Sequence, residues 1–159
     1  MLQDNFSDLE NIRLEKMLRL RAEGIEPYPT TTRRNSSIDA AVQAYQAAEA
    51  AGSSEEIKVI LAGRLRAIRN MGKLSFAHIE DKDAKVQLLF RVDEIGEDLL
   101  QAFARDFDLG DFIEAEGSMF RTRRGEVTLL VKSFRMLAKA LLALPADKDE
   151  EVDGKIVRH

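Results

Sequence analysis

Residues 64–76, RLRAIRNMGKLSF, decide how this chain is read. Arg64 to Arg69 is strand-like, Asn70-Met71-Gly72-Lys73 turns the chain, and Leu74-Ser75-Phe76 starts a second strand. Beyond the turn the residues alternate. Ala77 and Ile79 take one face, while Phe76, His78 and Glu80 take the other. The apolar pair marks the inward face, so Phe76 stands outward among polar groups. A single exposed aromatic is ordinary. Three arginines and a lysine immediately upstream suit a ring that stacks on a nucleic-acid base.

Working outward, Lys58 to Arg69 reads as one long strand, and Gly63 within it suits a bulge or strong coiling. Leu74 to Asp81 is the second strand. Lys85 to Arg91 is the third, with Val86, Leu88 and Phe90 inward and Gln87, Leu89 and Arg91 outward. Asp93 to Phe107 reads as a single helix with Ile95, Leu99, Phe103 and Phe107 on one side. Phe112 to Phe120 is a fourth strand. Arg124-Gly125 turns into a fifth, Glu126 to Leu137, with Val127, Leu129 and Val131 inward and Glu126, Thr128, Leu130 and Lys132 outward. Three strands, a helix and two strands, with a long glycine-bearing first strand, predict a mostly β chain. The expected architecture is a five-stranded OB-fold Greek-key barrel, a fold that binds oligonucleotides across strands 2 and 3.

Two helices precede it. One spans about 7–23, opened by a Ser7/Glu10 capping box and stopped at Gly24. The other spans about 37–51, capped by Ser36 or Ser37 and closed by Gly52. Its alanine-rich face is weakly apolar and is expected to pack loosely. The reading is thus a helical extension over 1–56, a barrel over 57–145, and an acidic, nearly featureless linker over 146–159 toward a further domain.

The net charge of −4 argues against a polyanion partner, but its distribution does not. Residues 57–91 hold eight Lys/Arg against three Asp/Glu, 92–117 hold one against nine, and 118–139 hold six against one. If the two basic segments lie side by side, one face of an acidic protein is positive. There is no cysteine, hence no disulfide or thiolate chemistry. No apolar run approaches the ~18 residues that span a membrane. The opening MLQDNFSDLE lacks the basic and apolar parts of a signal peptide, so a cytoplasmic location is expected.

No catalytic or metal-binding constellation stands out: the two histidines are far apart, and there is no phosphate-binding glycine loop. The candidate residues are those of a binding face. Phe76 offers a stacking ring and Arg69 a cation across the turn. Gln87 offers a donor and an acceptor, and Glu126 an acceptor for a base edge. Arg64, Arg66, Lys73, Arg121 and Arg123 offer charge for a phosphate backbone. Each also has a plain structural reading, such as an Arg69–Glu126 surface pair.

RLEKMLRLRAEGIEPYP at 13–29, AGRLRAIRNMGKLSFAHIEDKDAKVQL at 62–88, DLGDFIEAEG at 108–117, FRTRRGEV at 120–127 and LAKALLALP at 137–145 resemble the N-terminal anticodon-binding domain of class II lysyl-tRNA synthetases. Aspartyl and asparaginyl synthetases share the barrel, but the flanking motifs belong to the lysyl branch. The resemblance implies that the barrel reads the central uridine of the lysine-tRNA anticodon. It places the family's stacking aromatic on Phe76, its arginine on Arg69, its glutamine on Gln87 and its glutamate on Glu126. It also implies a full-length homodimeric lysine-tRNA ligase using ATP and Mg²⁺. The catalytic motifs of that ligase are absent here, so this chain alone is expected to be inactive and to need no cofactor. Two other readings remain: a sequence-tolerant single-strand binder, and a protein-interaction module built on the helix at 7–23 and Phe76.

Overall fold

A computed structural model describes residues 8–22, 32–140, 150–152 and 155–157. Five strands form the expected barrel: β1 (Lys58–Asn70), β2 (Leu74–Glu80), β3 (Lys85–Arg91), β4 (Phe112–Arg121) and β5 (Val127–Ala138). It closes in the order β1-β2-β3-β5-β4, with β3 and β5 parallel and the other pairs antiparallel. Closure leaves none of these five strands at a sheet edge.

β1 is long because it serves two neighbours. Lys58–Arg64 pairs with β4, and Arg64–Asn70 pairs with β2. Gly63 sits at the changeover, where an added Cβ would come within 2.9 Å of the Glu80 carbonyl oxygen. Any side chain there would push β2 away from β1. The bulge falls slightly later, between Leu65 and Ala67, and leaves Arg66 as the extra residue.

The alternation read from the sequence fills the barrel. Leu61, Ile79, Leu88, Ile113, Leu129 and Val131 have no exposed surface. Phe103 stacks on Phe90 with centroids 3.9 Å apart, and Phe134 packs edge-on against Phe90 at 5.2 Å. Burying each such ring stabilises the fold by about 1.5–3 kcal/mol.

The expected single helix over 93–107 is two pieces, α3 (Val92–Ile95) and α4 (Glu97–Asp106). Gly96 separates them with φ +86°, a conformation that suits glycine and ends the first turn. Restarting the helix shifts its phase. Leu100 and Phe103 face the core, and Leu99, expected on the buried side, is exposed.

Ahead of the barrel lie α1 (Asp8–Ala22) and α2 (Ile38–Ala50). Ser7, one half of the predicted capping box, lies outside the described residues. Met17 and Leu20 of α1 are buried. Ser37 caps α2 by accepting from the Ala40 N–H at 3.1 Å. The Ile38 N–H donates to Asp81 at 2.9 Å, tying α2 to the β2–β3 turn. Ile38 and Ala41 are 1% exposed, so α2 is seated on the barrel rather than loosely packed as expected. In the stretch expected to be featureless, β6 (Glu150–Val152) pairs antiparallel with β7 (Lys155–Val157).

Four of the nine acids in the acidic segment, Asp106, Asp108, Asp111 and Glu114, are held by partners within the fold. The Lys139 ammonium is fully buried, 2.6 Å from both Asp108 and Asp111 and 3.0 Å from the Asp106 carbonyl. Lys16 of α1 reaches Asp108 at 2.9 Å, and Arg19 reaches Asp106. Burial would raise the Asp108 carboxyl, but Lys139 and Lys16 together hold it below its usual range. Asp111, deeper in the protein, is pushed up by burial despite the same ammonium. On the barrel side, burial would also raise Glu114. Its bonds from the Arg135 guanidinium, the Arg33 N–H and the Thr32 hydroxyl outweigh this and lower it to about 2.

Candidate nucleic-acid interface

Register places the outward side chains in two rows across the barrel surface. In one row Arg69 (β1), Phe76 (β2), Leu89 (β3) and Leu130 (β5) are successive partners. In the next, Ala67, His78, Gln87 and Thr128 follow one another. Directly paired side chains lie ~4.5–5.5 Å apart at Cβ, so each row is one contact surface. Phe76 is half-buried, and Leu89, expected outward and open, is covered between its row neighbours at 6% exposure.

The turn that presents Phe76 is internally fixed. The Met71 N–H donates to the Leu74 carbonyl at 2.9 Å, and the Ser75 hydroxyl donates to the Asn70 side chain at 2.7 Å. Gly72 takes φ +80° at its tip. Arg69, the register partner of Phe76 on β1, and Lys73 of the turn are exposed.

The second row is a hydrogen-bonded chain. The Gln87 Nε2 donates to the Thr128 hydroxyl at 3.0 Å. That hydroxyl donates to the Glu126 carbonyl at 3.0 Å. One carboxylate oxygen of Glu126 lies 2.8 Å from His78 Nε2, and the Glu126 N–H reaches the Thr122 hydroxyl at 3.2 Å. One sequence expectation and two of the plain structural readings change here. Glu126 precedes β5 rather than opening it, and its partner is His78, not Arg69. Gln87 is not a freely solvated amide: it is 9% exposed and one end is bound. Thr128 lies on the outer face but has no exposed surface. His78 and Thr128 escaped notice as site residues, although the alternation already put both on the outward side.

The predicted cations divide. Arg69, Lys73 and Arg123 are exposed, and among the described residues none has a carboxylate within ion-pair distance; Arg124 is a fourth of this kind. Arg64 lies over the Phe112 ring at 4.8 Å. Arg66 lies 3.8 Å from Glu80 and is largely covered. Arg121 is held by both oxygens of Glu49, at 2.8 and 2.9 Å, and by the Gly125 carbonyl. Those bonds lower the Glu49 carboxyl and raise the guanidinium. Among the described residues, no three His, Cys, Asp or Glu side chains are grouped to hold a metal ion, and no helix is long and apolar enough to cross a membrane.

A closed five-stranded barrel with a helix between its third and fourth strands, an outward aromatic and unpaired cations beside it defines a nucleic-acid-binding module of the oligonucleotide-binding class. Residues 59–137, the barrel, match the tRNA anti-codon family, an OB-fold nucleic acid binding domain. The lysine–tRNA ligase of Pelotomaculum thermopropionicum is 35% identical over 143 residues, covering 90% of this chain and 27% of that protein. Those of Carboxydothermus hydrogenoformans and Moorella thermoacetica are 38% and 37% identical, covering 91% and 87% of this chain and 28% and 27% of their own lengths. The chain thus spans little more than a quarter of these relatives, and the resemblance read from the sequence is borne out.

Proposed function

We propose that this chain recognises the anticodon stem-loop of lysine tRNA, with Phe76 stacked on the central uridine. The observation that supports this reading most directly is a half-exposed Phe76 set across a hydrogen-bonded turn from Arg69 and near Lys73, neither of which has a carboxylate within ion-pair distance among the described residues. Arg69, Lys73 and Arg123, joined by Arg124, hold the phosphate backbone and contribute affinity without sequence choice. Arg64, Arg66 and Arg121 add to the positive field but are already engaged within the protein. Gln87, Glu126 and Arg69 meet the polar edge of the base.

Residues 57–145 are on this reading the recognition module, 1–56 a helical extension and 146–159 a link toward a catalytic part. The whole protein is then a cytoplasmic, homodimeric lysine–tRNA ligase, with lysine activation by ATP and Mg²⁺ carried by residues outside this domain.

Fluorescence anisotropy with a labelled lysine-tRNA anticodon stem-loop tests the reading. Wild type binds, and Phe76→Ala loses roughly tenfold for the cognate loop, the scale of one base–aromatic stack. Equal binding by wild type and Phe76→Ala would remove Phe76 from the interface. Absence of binding together with capture of a protein partner through α1 would favour the protein-interaction module.

A further inference from the structure

We infer that Thr128, a residue that cannot touch RNA, sets the base selectivity of the site by fixing which end of the Gln87 amide faces outward. The inference rests on the proposed reading of the barrel face as a base-recognition site.

An amide side chain has a donor end and an acceptor end, and rotating it by half a turn exchanges them. Free in solvent, Gln87 would satisfy either a base donor or a base acceptor and would discriminate poorly. Here it is not free. A threonine hydroxyl carries one proton, and that of Thr128 goes to the Glu126 carbonyl oxygen at 3.0 Å. Toward Gln87, 3.0 Å away, the hydroxyl therefore has only a lone pair to offer. Only the NH₂ end of Gln87 can bond there. Thr128 is buried, so no water competes for the position. The amide is locked with Oε1 as its open end, and among the described residues Oε1 has no protein partner and is not a buried orphan.

Glu126 is held in the same way. Its N–H is taken by Thr122, its carbonyl by Thr128 and one carboxylate oxygen by His78, which leaves the second carboxylate oxygen open. Both recognition groups thus present acceptors outward, with the Arg69 guanidinium as the nearby donor on the adjoining row. A base that fits must offer a ring N–H donor flanked by a carbonyl oxygen. Uracil does so with N3–H and O4. At the ring nitrogen cytosine (N3) and adenine (N1) are unprotonated, so each would set acceptor against acceptor there; their exocyclic amines can still donate, and the discrimination rests on the ring position. Guanine carries the same pattern on a larger ring system. The locked amide therefore selects keto bases.

Thr128→Val keeps shape and volume but removes the hydroxyl, which frees the amide to turn. Thr128→Ser keeps the hydroxyl. The test measures affinities of wild type, Thr128→Val and Thr128→Ser for anticodon stem-loops carrying uridine or cytidine at the central position. The inference requires Thr128→Val to reduce the uridine-over-cytidine ratio by about tenfold, chiefly through tighter cytidine binding, and Thr128→Ser to restore it. A stability defect alone would weaken both loops equally and leave the ratio unchanged. If wild type prefers uridine and Thr128→Val keeps that preference, the inference is wrong while the proposed function stands. If wild type shows no preference, the reading of the site as a base reader has itself failed.

Discussion

Two regions of this molecule gather charged side chains, and they use them in opposite ways. Around Lys139 the charges are buried and closed: one ammonium is shared by Asp108 and Asp111, and Asp108 is shared with Lys16. Around Phe76 they are open: Arg69 and Lys73 end in solvent beside a half-exposed ring. The first arrangement ties α1, the α4–β4 loop and the exit of β5 into one unit. The second leaves hydrated cations available to an anionic partner. The acid-rich segment between the two basic ones therefore presents less negative charge to solvent than its composition suggests. Several of its carboxylates are spent on internal partners, which lets an acidic protein keep a basic face.

The contrast breaks most sharply at Lys139. Lys139→Met leaves the fully buried Asp111 without its cation and Asp108 with Lys16 alone, and urea denaturation should find a loss of about 3–5 kcal/mol. RNA affinity of the molecules that remain folded should not change. A loss of affinity with intact stability would mean that the two regions are not separate.

An effect of about 3 kcal/mol, at the lower end of that range, is expected at Glu114. Its carboxyl is lowered in the fold from an ordinary 4.5 to about 2. A depressed carboxyl contributes stability that is complete above its unfolded value and is lost as pH falls toward the folded one. Unfolding free energy should therefore decline between pH 4.5 and 2. Glu114→Gln should flatten that part of the curve and converge with wild type near pH 2.

On the open side, Phe76→Ala should cost about 1–3 kcal/mol of binding for any central base, with a melting temperature close to wild type. The smallest effects separate open from engaged cations. Lys73→Gln should reduce the slope of log affinity against log salt by about one, as expected for one lost phosphate contact. Arg121→Gln should change that slope less, because Glu49 already holds its guanidinium. Equal slopes for the two variants would erase the distinction between them.

Much of this was legible in the sequence because it rests on period and punctuation. Strict alternation over 74–80 and 85–91 located two strands and put Phe76 and Gln87 on the outer face. Ser37 and Gly52 marked the ends of α2. What escaped depended on contacts between distant residues. Nothing in 93–107 distinguishes a continuous helix from one that restarts, except a glycine whose φ only the tertiary path fixes. His78 and Glu126 are 48 positions apart, and Gln87 and Thr128 are 41 apart. Only the parallel β3–β5 pairing, which closes the barrel, brings Gln87 and Thr128 together. The pairing of Lys139 with Asp108 and Asp111 was hidden for the same reason, although its motifs carried the family resemblance.

The central claim is that the open face reads a base and does not merely attract a polyanion. It is tested most directly by binding of the chain to lysine-tRNA anticodon stem-loops with uridine or cytidine at the centre, at two salt concentrations. Salt should weaken both complexes in parallel, since the phosphate contacts are common to them, and the preference for uridine should persist. Equal affinity for the two loops, with binding that vanishes at the higher salt, would contradict the claim and leave a face that senses charge alone.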